Sequence, residues 1–347
     1  MIAIRNIYYM LSYAFQVLNA QGYKSIETED FNNTAELCTE ILTQGISTQI
    51  KRGLEKEYVA KTDTLSDLRG KMDISASVKN LAIMKNRMVC TYDDFSENCY
   101  LNRIIKSTAL LLLRNSDVSK KRKCALKNLM MYFANVDEID INHIDWNQNY
   151  NRNNQNYRML ITVCYMVVKG LLQTQSDGTT RMVDFLDDQR MSHLYEKFIL
   201  EYYRKEHPEL TVSAARIPWA LDDDENTLLP VMQSDIMLEN KSDNKVLIID
   251  AKYYSHSLAK NRFNTQTLHS ANLYQIFTYV KNKEKSMNPE KHEVSGMLLY
   301  AKTDEDLQPD NCYHMSGNKI SVRTLDLNQD FSQITKQLES IEEEHFL

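Results

Sequence analysis

Asp235 and the pair Asp250 and Lys252 are the residues of this chain whose types and spacing suit chemistry best. Asp250-Ala251-Lys252 closes the apolar run Val246-Leu247-Ile248-Ile249, which reads as a buried strand delivering an acid, a spacer and a lysine at its end. Strand alternation puts Asp250 and Lys252 on one side and turns Ala251 to the other. Asp235 lies fifteen positions earlier, in Pro230-Val231-Met232-Gln233-Ser234-Asp235-Ile236. Two carboxylates suit a hard divalent cation, and a lysine beside them suits an attacking water and a phosphate that gathers charge. The chemistry indicated is metal-dependent phosphodiester hydrolysis.

The composition narrows the setting. The chain has 347 residues, 43% hydrophobic and 25% charged, enough for two domains with their own cores. A net charge of −6 argues against a protein that coats nucleic acid, because lysine and arginine supply that affinity. The apolar start, Ile7 to Leu18, is broken by Ser12, Gln16 and several tyrosines, so neither a signal peptide nor a membrane span is expected, and a cytoplasmic location is. Six scattered cysteines without CxxC spacing predict reduced, mostly buried thiols, and eight dispersed histidines offer no zinc spacing. No P-loop GxxxxGK[ST] is present, so a nucleotide motor of that kind is excluded.

The elements that must position the acids fall into two halves. Helical spacing covers 4–18 and about 33–49; short strands follow near 57–59, 69–75 and 88–92. Helices are expected from about Asn98, with Ser96 or Asn98 as cap, to Leu113, then over 119–133 and 157–172, with a surface loop over 137–156. Polar residues 174–180 mark the boundary, giving domains 1–178 and 179–347. The second half reads helix 191–205, strands 211–217, 231–238 and 246–252, helix 267–281, strands 294–301 and 320–327, and helix 331–341. The expected fold class is α/β: a mixed α+β N-terminal domain, then a mixed sheet flanked by helices. The acidic run Asp222 to Glu225 reads as a solvated turn, and Tyr253 and Tyr254 as sheet packing or a phosphate contact.

The acids, the lysine and this αβββαβ order resemble the restriction-endonuclease-like PD-(D/E)XK superfamily, with Asp235 as first acid and Ser234 where the motif has proline. More closely, Arg5-Asn6-Ile7-Tyr8-Tyr9-Met10-Leu11-Ser12-Tyr13-Ala14, Asn102-Arg103-Ile104-Ile105-Lys106-Ser107-Thr108, Asp250-Ala251-Lys252-Tyr253-Tyr254 and Asn272-Leu273-Tyr274-Gln275 together resemble the McrC family. The resemblance implies a Mg²⁺-dependent endonuclease subunit of a McrBC-type 5-methylcytosine-specific restriction system. It implies Asp235 and Asp250 as metal ligands with the Ala251 carbonyl, Lys252 as the catalytic cation, and Gln275, with Tyr279 a turn further on, and Glu196 as supporting groups. It also implies double-stranded DNA as substrate and a hexameric McrB-type AAA+ partner, which binds GTP, carries the modified-base reader and is docked and stimulated by the N-terminal half. Lys260 and Arg262 are candidate phosphate contacts, as are His256 and His269. Two other readings stand beside this one: a free-standing nuclease of repair or phage defence, and a chain that is chiefly a GTPase-activating adaptor.

Overall fold

The computed structural model describes residues 3–15, 18, 26, 31–81, 83–152, 154–177, 189–223, 227–260, 266–287 and 291–346. Two compact units result: Asn32–Leu172, and Met1–Phe31 together with Gln173–Leu347. The second break falls near the expected 178/179 division, but the N-terminal helix α1 (Ile4–Ala14) belongs with the C-terminal residues rather than with the half that follows it. The cause is a set of contacts from the far end of the chain. The Asn6 amide donates to the carbonyls of Leu327 (2.8 Å) and Gln329 (2.7 Å), the Tyr9 ring stacks on Phe331 at 4.3 Å, and the Tyr13 hydroxyl donates to Glu206 Oε1 at 2.8 Å.

The unit 32–172 opens with α2 (Thr34–Arg52), whose cap Asn33 accepts from the Glu36 amide. Strands β1 (Glu57–Leu65), β2 (Lys71–Met72) and β3 (Met88–Ser96) form an antiparallel sheet in the order β1-β3-β2. The strand expected over 69–75 is cut short because Asp73 Oδ1 accepts from the Ala76 amide and starts α3 (Ile74–Lys79). Helices α4 (Tyr100–Arg114), α5 (Lys120–Met130) and α6 (Gln155–Asp177) complete the elements used here. Neither Ser96 nor Asn98 caps α4; Cys99 takes that place without a side-chain bond, and Asn98 holds Asp137 instead. The four buried cysteines are Cys38, Cys90, Cys99 and Cys164, and all six thiols are free.

In the other unit, α7 (Gln189–Glu206) precedes β4 (Thr211–Ser213), β5 (Arg216–Ile217), β6 (Met232–Gln233), β7 (Ile236–Asn240) and β8 (Lys245–Lys252). After β9 (Ala259–Lys260) and β10 (Gln266–Thr267) come α8 (Ser270–Met287), β11 (Glu293–Ala301), β12 (Asn311–Met315), β13 (Asn318–Leu325) and α9 (Phe331–Phe346). Six of these strands form one mixed sheet, β12-β13-β11-β8-β7-β4, in which β8, β11 and β13 are parallel and the other pairings antiparallel.

Two expected strands are each broken in two. β4 pairs with β7 while β5 pairs with β6, and the seam between them is held by Ser234, whose amide and hydroxyl both donate to the Ala215 carbonyl (3.0 and 3.3 Å). Strand β8 is buried at every position except its two ends. Its four aliphatic residues Val246 to Ile249 each contribute roughly 2 kcal/mol by leaving water. On one face Ile248, Leu298 and Tyr300 pack with Ile276 and Val280 of α8. Gly296 permits that approach, since a Cβ there would lie 2.7 Å from Val280 Cγ2 and 2.8 Å from Ile276 Cγ1. On the other face Tyr195 of α7 donates to the Leu299 carbonyl at 3.5 Å. Among the described residues no helix is long and apolar enough to cross a membrane.

Candidate active site

The site lies where the β7–β8 ladder runs out. Its last pair is Ile236 with Ile249, so the Ala251 amide, further along β8, has no strand partner from β7. Asp235, freed from regular pairing by the seam at Ser234, supplies the acceptor: its Oδ2 takes the Ala251 N–H at 2.9 Å. That bond aims the first carboxylate at the strand carrying the second.

Asp250 is 1% exposed, and neither of its buried oxygens takes a hydrogen bond. Its Oδ2 meets Lys252 Nζ in an ion pair of 2.8 Å. The ammonium also donates to Gln275 Oε1 at 3.3 Å, and Gln275 Nε2 donates to the Tyr279 hydroxyl at 3.0 Å. Glu196, on α7, keeps a side chain 31% exposed and lies 3.5 Å from His193 Nδ1.

Charge in this space is poorly compensated. Burial first, then the charges of Asp250 and Glu196, push the Asp235 carboxyl up to about 8 against the pull of Lys252. Burial likewise raises the Asp250 carboxyl in spite of the ammonium beside it. Burial draws Lys252 down, but the Asp250 and Asp235 charges prevail and its pKa rises, so it stays a cation. An orphaned buried oxygen and a second carboxylate short of countercharge fit a bound hard cation. The donor set is oxygen only, which suits magnesium rather than zinc.

The structure thus brings together Asp235, Asp250, Ala251, Lys252 and Gln275, and sets Glu196 within electrostatic reach of both acids. Tyr253 is core, edge-on to Tyr195. His256 lies 3.7 Å from Glu305 Oε1, and His269 Nε2 meets the His256 carbonyl at 3.4 Å. Arg262, the side chain of Lys260, and Asp224 and Glu225 fall outside the described residues. Tyr300 joins the site's surroundings unforeseen, through Asn272 of the motif that ends in Gln275: the Asn272 amide donates to the Tyr300 hydroxyl at 2.9 Å. A polar ring inside the apolar run Met297 to Ala301 was the available signal for Tyr300. Among the described residues, His207, Glu209 and Glu342 also bring metal-capable atoms within 4.8 Å of one another, a group that draws on none of the expected residues.

A mixed α/β sheet that gathers a buried and a half-buried carboxylate with a lysine at one strand end is the class defined by fold and site. The chain belongs to the McrBC 5-methylcytosine restriction system component family, which it matches over residues 4–301. It is 29% identical over 351 residues to the Type IV methyl-directed restriction enzyme EcoKMcrBC of Escherichia coli (strain K12), spanning 99% of this chain and 98% of that one. Among solved structures it is similar to a refined half-complex from the tetradecameric assembly of Thermococcus gammatolerans McrB AAA+ hexamers with bound McrC. That likeness has a TM-score of 0.46 and 16% identity, over 98% of this chain and 75% of that one. It is also similar to the cryo-EM structure of the Thermococcus gammatolerans McrBC complex, with a TM-score of 0.38 and 19% identity over 58% of each chain.

Proposed function

We propose that this chain is the Mg²⁺-dependent DNA-cutting subunit of a McrBC-type restriction system, controlled by a GTP-hydrolysing McrB-type AAA+ ring that it also stimulates. The observation that carries the reading is the buried Asp250, neither of whose oxygens is hydrogen-bonded, set with the half-buried Asp235 beside Lys252. Asp235 and Asp250, joined by the Ala251 carbonyl, would hold Mg²⁺, and Glu196 adds negative charge at their edge. When bound, the ion supplies Lewis-acid stabilisation of a phosphate and an acidified water. Lys252, steadied by Asp250 and Gln275, orients the attacking water and offsets the charge that grows on the phosphate oxygens. Burial of Asp250 limits the screening of that charge by bulk water.

Docking on the ring is assigned to residues 32–172. Support comes from the apolar side chains this unit leaves exposed, among them Tyr58, Ile74 and Met84. Selection of the methylated base is assigned to the partner, in keeping with the net charge of −6. The test is cleavage of methylated plasmid by the full chain with its AAA+ partner, GTP and Mg²⁺. Asp250→Ala is expected to abolish cutting, Lys252→Ala to bind the ion and cut poorly, and chelation to stop the wild type. Wild-type cutting by Asp250→Ala rejects the assignment; robust cutting without a partner indicates a free-standing nuclease instead.

A further inference from the structure

A lysine side chain has four rotatable bonds with which to leave a chosen orientation. Here Lys252 Nζ is held from two directions, by Asp250 Oδ2 at 2.8 Å and by Gln275 Oε1 at 3.3 Å. Asp250 shares the strand with it, but Gln275 belongs to α8, so the second hold depends on how the first turns of that helix are seated.

Asn272 stands three residues before Gln275, on the same helical face. It is 6% exposed, and both ends of its amide are engaged: Nδ2 donates to the Tyr300 hydroxyl at 2.9 Å, and Oδ1 accepts from the Tyr254 hydroxyl at 3.4 Å. Tyr300 is fully buried on β11 and is the register partner of Lys252 on β8, which sets the two side by side on one face of the sheet. Tyr254 lies two residues past Lys252, where the chain leaves β8. One amide therefore ties together the strand beside the lysine, the chain just beyond it, and the helix carrying its partner. A buried amide is tolerated only with its bonds made, so this geometry has little freedom to drift. An asparagine this early in a helix commonly caps its own backbone; in this one the amide makes tertiary contacts.

We infer that Asn272, clamped between Tyr254 and Tyr300, is the positioning residue that seats Gln275 on Lys252 for DNA cutting. The inference rests on the reading of Asp235, Asp250 and Lys252 as the cutting centre, and names a residue that reading does not need.

The experiment is single-turnover cutting of methylated plasmid by the full chain with its AAA+ partner, across DNA concentrations. Asn272→Leu, similar in volume and unable to hydrogen-bond, is expected to cut about tenfold more slowly at saturating DNA with the half-saturating concentration unchanged. In a Gln275→Ala background, itself slowed, the same substitution is expected to cost nothing further, because its effect passes through Gln275. Tyr300→Phe keeps the ring in the core and is expected to reproduce the slowing; it carries the test if Asn272→Leu does not fold. Three results overturn the inference: wild-type cutting by Tyr300→Phe and any folded Asn272→Leu, losses that multiply in the double variant, or wild-type cutting by Gln275→Ala. Asp250→Ala is run alongside. If it cuts normally the cutting-centre reading itself has failed, whereas if it is inactive the other outcomes bear on Asn272 alone.

Discussion

The two larger sheets of this molecule treat apolar side chains in opposite ways. In the six-stranded sheet, β8 is covered on both faces, and even its charged Asp250 is withdrawn from water. In the three-stranded sheet, β1 is open along most of its length, and the cross-strand neighbours Tyr58 and Phe95 meet at 4.9 Å between ring centroids while staying 74% and 57% exposed. The first sheet uses burial to make electrostatics strong, since charge attracts and repels far more where water is excluded. The second leaves aromatic surface that its own unit does not cover, the condition of a surface that gains from a partner. One region withdraws charge from water, and the other leaves aromatic surface in it.

Substitutions that separate these two properties sharpen the contrast or break it. Asp250→Ala is expected to lower cutting by about a thousandfold or more while the ring's GTP hydrolysis is stimulated as before; loss of both together would mean the two regions are not separable. The reverse dissociation is expected of Tyr58→Ser with Phe95→Ser. The concentration of chain needed to stimulate the ring should rise about tenfold, with the melting temperature moving by no more than about 2 °C because both rings are already in water. Unchanged stimulation would move docking elsewhere on the unit. Glu196→Gln is expected to slow cutting about threefold, since its partly exposed carboxylate reaches the acids only through charge. A loss as large as that of Asp250→Ala would make it a ligand.

The smallest expected signal is a dependence of stability on pH. Because Asp235 is raised toward 8, the folded protein keeps a proton that the unfolded chain has already released above its ordinary carboxylate range. Stability contributed by that proton is present at low pH and is lost as pH rises through the folded value. Mg²⁺ in place of the proton should therefore raise the melting temperature more near pH 8 than near pH 5. Calorimetry with and without chelator measures this, and an equal rise at both values would place the ion elsewhere.

The placement of the candidate site was largely legible because its geometry is local. An apolar run ending in Asp250-x-Lys252 fixes strand, face and end at once, and the i, i+4 spacing of Gln275 and Tyr279 sets them on one helical face. The breaks at Ala215 and Ser234 were marked only faintly, by a shift of apolar parity at Ala214-Ala215 and by the polar Gln233-Ser234-Asp235, and it is the pairing of β4 with β7 and β5 with β6 that reveals the seam. β12 escaped notice because Asn-Cys-Tyr-His-Met at a sheet edge has no buried face to impose a period. At Asp73 a capping bond outweighed strand propensity. The place of α1 was the least legible of all. Its spacing announces a helix, but its seat is chosen by residues about two hundred to more than three hundred positions away, and no local pattern encodes that.

That long reach sets an order of assembly on the ribosome. Every residue of 32–172 has been made before Leu327, Gln329 or Phe331 exists, so this unit can close on itself while α1 still waits for its seat. β13 and α9 also arrive last, and until they do the six-stranded sheet has an open flank. The unit with the three-stranded sheet is thus complete early in the life of each chain, and the setting of Asp250 on β8 is complete only after β13 and α9 have been made.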